Sequence, residues 1–445
     1  MTRLEAVLLS TACSLLAALP ASAAEPLKLS MADAVGRALR DGTASELADE
    51  QVASARAAAS RTRSALLPQL GVEAVAGNQS INLETYGLRS PDPVVPPFDI
   101  FEGRAGVRWA VLDLAAIQRH RAVRALVGVS EADRRRIRSE AASAVSRLYV
   151  SLLKAQAQVN QHEATLKLFE KVLGLARRQR DAGVAGRRDS LRAEVQLNQQ
   201  RSALLVAKQR REDAKRALLE AMGADLGQDV TPTDDLAQSA AATGATPPLA
   251  DLLRLARARR AELQTVREQK RAADAAVSAV SAERLPAVHA QVHFEETGNS
   301  LDGLAYTRGG GVRVSLPLFT GGRIGAEMGE AKARQRAVQI RERAASRLVE
   351  RQVRDALQSL ETARERVATA TENARLTAED LESAQNRLGA GVAASVEVDN
   401  AQTTYVNVRE ELVAAQADLA QARVDLDFAT GALVAEGTGT GRDKR

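Results

Sequence analysis

From about Gly321 to Leu388 the apolar positions recur on a seven-residue beat. Val353, Leu360, Val367, Ala374, Leu381 and Leu388 take one position of it. Ala356, Ala363, Ala370, Thr377 and Ala384 take the position three residues on. An a/d seam of this length, with no proline and no glycine between Gly329 and Gly389, predicts a coiled-coil rod. At 1.5 Å per residue such a rod runs for roughly 100 Å. Alanine at most d positions lets backbones come close, as a thin wall of packed helices requires.

The seam occurs twice. Val145, Leu152, Val159, Leu166 and Leu173, with Leu148, Ala155, His162, Phe169 and Ala176 at d, precede their counterparts by 208 residues (353 − 145). Both rods end in Ala-Gly-Val-Ala, at 182–185 and 390–393, and the pairs Ala193/Ala401 and Gly223/Gly431 keep the same offset. A constant offset predicts an internal duplication. The first repeat covers 24–223 and the second 249–433, joined by a Gly-, Pro-, Asp- and Thr-containing linker at 224–248 and followed by a polar tail at 434–445.

Before each rod the period changes from helical to two. A helix over 30–66, with a break near Gly42, ends at Pro68. Leu70, Val72, Ala74 and Ala76 then alternate with Gln69, Gly71, Glu73 and Val75. A proline-rich loop is expected over 78–103. The next strand sets Ala105, Val107, Trp109 and Val111 against Arg104, Gly106 and Arg108, and Asp113 is placed to N-cap the first rod. The rod, about 114–180, is answered by a return helix at about 189–222. The second half repeats this order. A helix over 249–284 ends at Pro286, and Val288, Ala290, Val292 and Phe294 oppose His289, Gln291, His293 and Glu295. After a loop at 298–308, Val312, Val314, Leu316 and Leu318 form a fourth apolar face, and Thr320 stands where Asp113 stood.

Each strand is about ten residues long with one apolar face, the length and pattern of a strand tilted through a bilayer. A small soluble sheet with one buried face would show the same alternation. Seven of the eleven aromatics (six Phe, four Tyr, one Trp) fall in these segments: Tyr86, Phe98, Phe101, Trp109, Phe294, Tyr306 and Phe319. A membrane interface uses aromatics in this way. Four strands cannot close a barrel, and open edges are not tolerated in lipid, so membrane-spanning strands would have to be shared among chains. Periodicity leaves two or three copies open.

Composition narrows the class. Lysine and arginine number 61 against 56 acidic residues, a net charge of +5, and aromatics are only 2%. The interleaved charges and the lack of a compact basic patch with stacking aromatics argue against nucleic acid as a partner. Arg3, the apolar run Ala6–Leu19 and Ala21-Ser22-Ala23 predict a cleaved secretory signal over 1–23. Cys13, the one cysteine, falls inside it, so no disulfide and no cysteine-linked lipid anchor is expected in the mature chain. No later stretch is long and apolar enough for a transmembrane helix.

The duplicated helix–strand–strand–rod–return-helix order, with Gly183-Val184 before Ala193 and Gly391-Val392 before Ala401, resembles the TolC-like outer-membrane efflux proteins over nearly the whole mature chain. The resemblance implies a mainly α fold with a small membrane β part. Long antiparallel helical hairpins form an α-barrel, and four strands per chain join a twelve-stranded barrel shared by a homotrimer. It implies a passive exit duct in the outer membrane of a Gram-negative cell, with the helical part in the periplasm. Such a duct serves a tripartite efflux pump or type I secretion system. Its partners would be outer-membrane lipid and a periplasmic adaptor (membrane fusion) protein, with an inner-membrane pump acting indirectly. It also implies a gate at the tip turns Gly183-Val184 and Gly391-Val392. In the family, acidic residues six and nine positions after the second tip glycine narrow the pore. Here these are Glu397 and Asn400, so the second acid is missing. Asp399 lies one residue, about 100°, around the helix from Asn400, and Asp189 is the first-half counterpart of Glu397. Carboxylates at a helix start are favourable without any pore role. The other reading of the chain is a secreted coiled-coil scaffold or adhesin of the envelope.

No catalytic constellation emerges, and no enzyme activity, cofactor or metal is expected. His289 and His293 share a strand face but stand roughly 13 Å apart. Of the other two histidines, His120 and His162, the latter occupies a d position and reads as a packed seam residue rather than a ligand. Gly309-Gly310-Gly311 leads into a strand rather than a helix, unlike a phosphate loop. Gly321-Gly322 marks a strand-to-helix turn.

Overall fold

The structure is a computed structural model and describes residues 27–183, 186–241, 246–390, 392 and 394–433. The expected signal (1–23) and tail (434–445) lie outside these residues, as do Val184 and Gly391 of the tip motifs. In chain order the elements are β1 (Leu27–Leu29), α1 (Met31–Asp41), α2 (Thr43–Ser64), β2 (Gln69–Asn82), β3 (Val94–Asp113), α3 (Leu114–Asp181) and α4 (Arg187–Met222). They continue with β4 (Val230–Pro232), α5 (Leu236–Ala241), α6 (Leu249–Arg259), α7 (Ala261–Ala282), β5 (Ala287–Gly298), β6 (Ala305–Ser315), α8 (Arg323–Gly389) and α9 (Ser395–Thr430).

The rods are α3 and α8, of 68 and 67 residues, each about 100 Å long. The heptad seam is the buried stripe of both. Val145, Leu152, Ala155, Val159, Phe169 and Leu173 are buried on α3, and Val353, Ala356, Leu360, Ala363, Ala370, Ala374, Leu381 and Ala384 on α8. His162 is buried in the same seam. Towards the tips the helices pack side by side in the order α4–α3–α9–α8, and towards the sheet in the order α2–α3–α7–α8. At either level one chain therefore supplies four helices to a single layer. Asp113 caps α3 as expected, accepting from the Ala116 N–H at 2.8 Å.

Several details differ from the sequence reading. The loop expected at 78–103 is shorter, because β2 reaches Asn82 and β3 begins at Val94. Pro96 and Pro97 fit into β3 because they sit at a register shift against β2, on a stretch that β5 does not pair. Gly309–Gly311 lies inside β6 rather than before it, and Leu316 and Leu318 lie beyond the strand end. The imidazole of His293 covers Gly309 so closely that an added Cβ would stand 2.5 Å from the ring. Thr320 does not cap α8. Gly321 and Gly322, both at positive φ, make the turn, and Gly322 is the N-cap. The linker holds β4 and α5, and β4 pairs with β1 in parallel. This small layer is fastened to the rods by Tyr149, whose hydroxyl donates to Leu29 O at 2.8 Å. Burial raises the pKa of that hydroxyl.

The helix expected at 249–284 is broken at Arg260, whose backbone is extended (φ −60, ψ 123). No Gly or Pro signals this break, because tertiary contacts make it. The Arg260 side chain is buried and donates to Phe428 O at 2.8 Å, Glu262 Oε1 at 2.8 Å and Gln352 Oε1 at 2.7 Å, with its guanidinium 4.5 Å above the Phe428 ring. It matches the break at Gly42. The Gly42 break packs against the left-handed cap Gly223 of α4, and the Arg260 break against the left-handed cap Gly431 of α9. A Cβ at Gly223 would stand 2.4 Å from Asp41 O. Gly223→Ala should therefore destabilise the protein by more than the ~1 kcal/mol that a left-handed alanine costs alone. A thermal unfolding comparison checks this, and an unchanged midpoint would contradict the packing.

Candidate functional site

Two regions combine chemistry with position: the sheet at one end of the rods and the hairpin tips at the other. The sheet has strand order β2–β3–β5–β6, antiparallel throughout. Register places Leu70, Val107 and Val292 side by side, and Val72, Ala105 and Phe294 next to them. This face is apolar, and its large side chains (Leu70, Val72, Val292, Val312 and Val314 among them) stand exposed. The opposite face aligns Glu73, Arg104 and Glu295, then Gln69, Arg108 and Gln291. There Arg104 is bound to Glu295 at 2.5 Å and to Glu102 at 3.1 Å. Among the described residues no helix lies across either face, so the alternation does not bury a private core. The β2 and β6 edges are unpaired among the described residues.

At the tips, α3 closes with Gly183 at positive φ (72°), and α8 closes with the Val392 N–H donating to Arg387 O at 3.0 Å. Asp189 sits in the first turn of α4, where its carboxylate accepts from the Gly186 N–H at 3.3 Å. Glu397 sits in the first turn of α9 and pairs with Arg387 of α8 across the turn. Asn400 is exposed. Asp399 is turned towards the first hairpin. Its burial raises its pKa above the ordinary carboxylate range, and Asp189 adds to the shift, while a hydrogen bond from Gln196 and the charge of Arg192 oppose it. The tip thus brings Asp399 and Asp189 together and leaves Glu397 and Asn400 on another face. Below it the second hairpin packs through Leu381, Ala384, Val398 and Ala401, with Leu168 of α3 against them.

Sequence reasoning missed Arg387 and Gln196. A pair ten residues apart across a turn has no period to reveal it, and Gln196 is one of many glutamines on α4. Among the described residues no helix is long and apolar enough to cross a membrane, and no cluster of His, Cys, Asp and Glu could hold a metal ion.

The sequence profile of the outer membrane efflux protein family matches residues 47–224 and 252–432, most of the chain. The chain belongs to the outer membrane efflux protein family. It is accordingly an outer-membrane efflux channel protein, whose helical part reaches into the periplasm, and it is a duct rather than an enzyme. Solved structures of this fold include the outer membrane protein VceC of Vibrio cholerae (19% identity, TM-score 0.74, covering 90% of this chain and 96% of that one). The CmeC outer membrane channel of Campylobacter jejuni is similar (18%, 0.77, 90% and 85%). So is the open state of the MtrE outer membrane channel of Neisseria gonorrhoeae (20%, 0.75, 91% and 89%). A search of curated protein sequences returns no match. For an outer membrane efflux protein, the bare sheet is the membrane end and the tips are the periplasmic end.

Proposed function

We propose that three copies of this chain close around one axis into a passive exit duct, gated at its periplasmic tips and coupled through an adaptor to an inner-membrane pump. The observation that carries this reading is the sheet, apolar on one face, charged on the other, and uncovered on both. Its edge strands run in opposite directions because all three pairings are antiparallel. Rotation about an axis preserves strand direction, so β6 of one copy meets β2 of the next antiparallel, and the barrel closes without an edge. Two copies would give eight strands, whose interior side chains alone fill. Three give twelve strands and leave a lumen for the Arg104–Glu295 face. The helical layer agrees, because Leu205 and Val206 on α4 and Ile340 and Leu348 on α8 are exposed along its two outer rows.

At the tip, Glu397 and Asn400, three residues apart on one face of α9, line the narrowest point in this reading. Asp399 and Asp189 lie between the hairpins and act as a latch. The halves 24–223 and 249–433 are two copies of one ancestral unit. Their fronts are 218 residues apart (Ala287 against Gln69) and their rods 208, so the first strand pair carries ten more residues. Planar-bilayer recording tests the duct, which predicts discrete conductance steps. Glu397→Ala should change cation preference at nearly unchanged expression, and unaltered selectivity would remove Glu397 from the pore.

A further inference from the structure

A groove of about 600 Å³ runs between α2 and α3 just below the sheet, lined among others by Arg56, Arg63, His120, Arg124, Gly128 and Glu131. Arg56 is paired with Glu131 at 2.8 Å, and Thr62 Oγ1 meets His120 Nδ1 at 3.1 Å. Arg63 and Arg124 are exposed and make no ion pair or side-chain hydrogen bond among the described residues. Three arginines line the groove against one glutamate; Glu268 of α7, whose carboxylate stands at Gly128, is paired with Arg271 at 2.6 Å, so two positive charges of the groove remain uncompensated. We propose that this groove holds the phosphate headgroup of an anionic phospholipid from the periplasmic leaflet of the outer membrane.

Three observations support this occupant. The first is depth. The base of the sheet exposes Leu112, Leu285, Leu318 and Phe319, which marks the edge of the hydrocarbon. Arg63, at the upper end of the groove, lies four residues before the exposed Leu67, the first-repeat counterpart of Leu285, and so at most about 6 Å from that edge. The headgroup layer adds about 5–7 Å on each side of the hydrocarbon, so the upper end of the groove opens at its level. The second is direction. The start of α3 is its membrane end, and helix side chains tilt towards the helix start, which favours an Arg124 guanidinium directed up the groove towards the bilayer. The third is the face. Eighteen residues are five turns, so Arg124 and Glu131 share the face of α3 that further along carries Ala142 and Tyr149 into the core with Leu29 and Val35. That layer of α1 and β1 would block the shaft if it lay inside, so the groove opens outwards, towards lipid. This last step rests on the duct reading given above.

The test uses the full-length protein in neutral detergent. Wild type, the double variant Arg63→Gln/Arg124→Gln and a control with as many charges removed from α4, Arg201→Gln/Arg210→Gln, are titrated with phosphatidylglycerol, phosphatidylethanolamine or inorganic phosphate. Retained lipid is read by native mass spectrometry and stability by thermal unfolding. Wild type and control should retain phosphatidylglycerol and gain stability from it. The double variant should bind it about thirtyfold more weakly, the factor two arginines near an anionic surface supply. Phosphatidylethanolamine and inorganic phosphate should do little to any of the three. Equal binding by the double variant, equal binding of phosphatidylethanolamine, or displacement by inorganic phosphate would overturn the proposal. Bilayer conductance is recorded on the same samples. Conducting channels with no charge-dependent lipid binding would sink the groove alone, whereas a wild type that never conducts would sink the duct reading.

Discussion

Val292→Arg should abolish assembly in the outer membrane, while Gln291→Arg, one residue away, should leave it intact. Val292 is mid-strand on the apolar face of β5, side by side with Val107 and exposed in the single chain. An arginine at the bilayer midplane costs about 2–4 kcal/mol in a transmembrane barrel. In the proposed three-chain barrel this multiplies to about 6–12 kcal/mol, comparable to the whole stability of a domain. Gln291 points to the face that already carries Arg108 and Arg104. The readout is the heat-sensitive oligomer on electrophoresis of unboiled membranes. Equal yields of both variants would mean that the two faces do not differ in solvent.

Val398→Asp should hold the tip open and raise single-channel conductance several-fold. Val398 is 1% exposed, packed with Leu381, Ala384 and Ala401 and close to Leu168 of the other hairpin. An unpaired carboxylate there costs on the order of several kcal/mol unless the helices part and let water in. Asp399 beside it gives the wild type a weaker response of related origin. Its pKa is raised by burial in the packed tip, so the packed tip binds the proton more tightly than an open one. Acidification therefore favours closure. That contribution is complete below the ordinary carboxylate pKa and is lost as pH rises through the raised value. Conductance should fall as pH is lowered into this window, and Asp399→Asn should flatten the profile. A pH response that survives Asp399→Asn would assign it to other groups.

The rods and the four strands were legible in the sequence because each rests on a local period. The a/d positions that the heptad selects on α8 are largely those that are buried, and the alternation around Val292 is the alternation of the two sheet faces. What escaped was set by contacts remote in sequence. Arg260 breaks a helix because Phe428 and Gln352 receive its side chain, and β1 and β4 are three-residue strands, too short to show a period. At the tip, the turn glycine Gly183 was legible from its repeat, since the left-handed turn it makes needs no side chain. The facing of Asp399 towards Gln196 and Arg192 was not, because it depends on how one hairpin packs on the other. Asn400 departs from the family pattern in the sequence itself, and Asp399 does not share its face.

The most direct measurement is the mass of the purified particle by light scattering, with detergent subtracted, beside its behaviour when detergent is removed. Three chains per particle and precipitation without detergent are expected if the apolar sheet faces complete a shared wall in the membrane. A single chain that remains folded and monodisperse in plain buffer would contradict it.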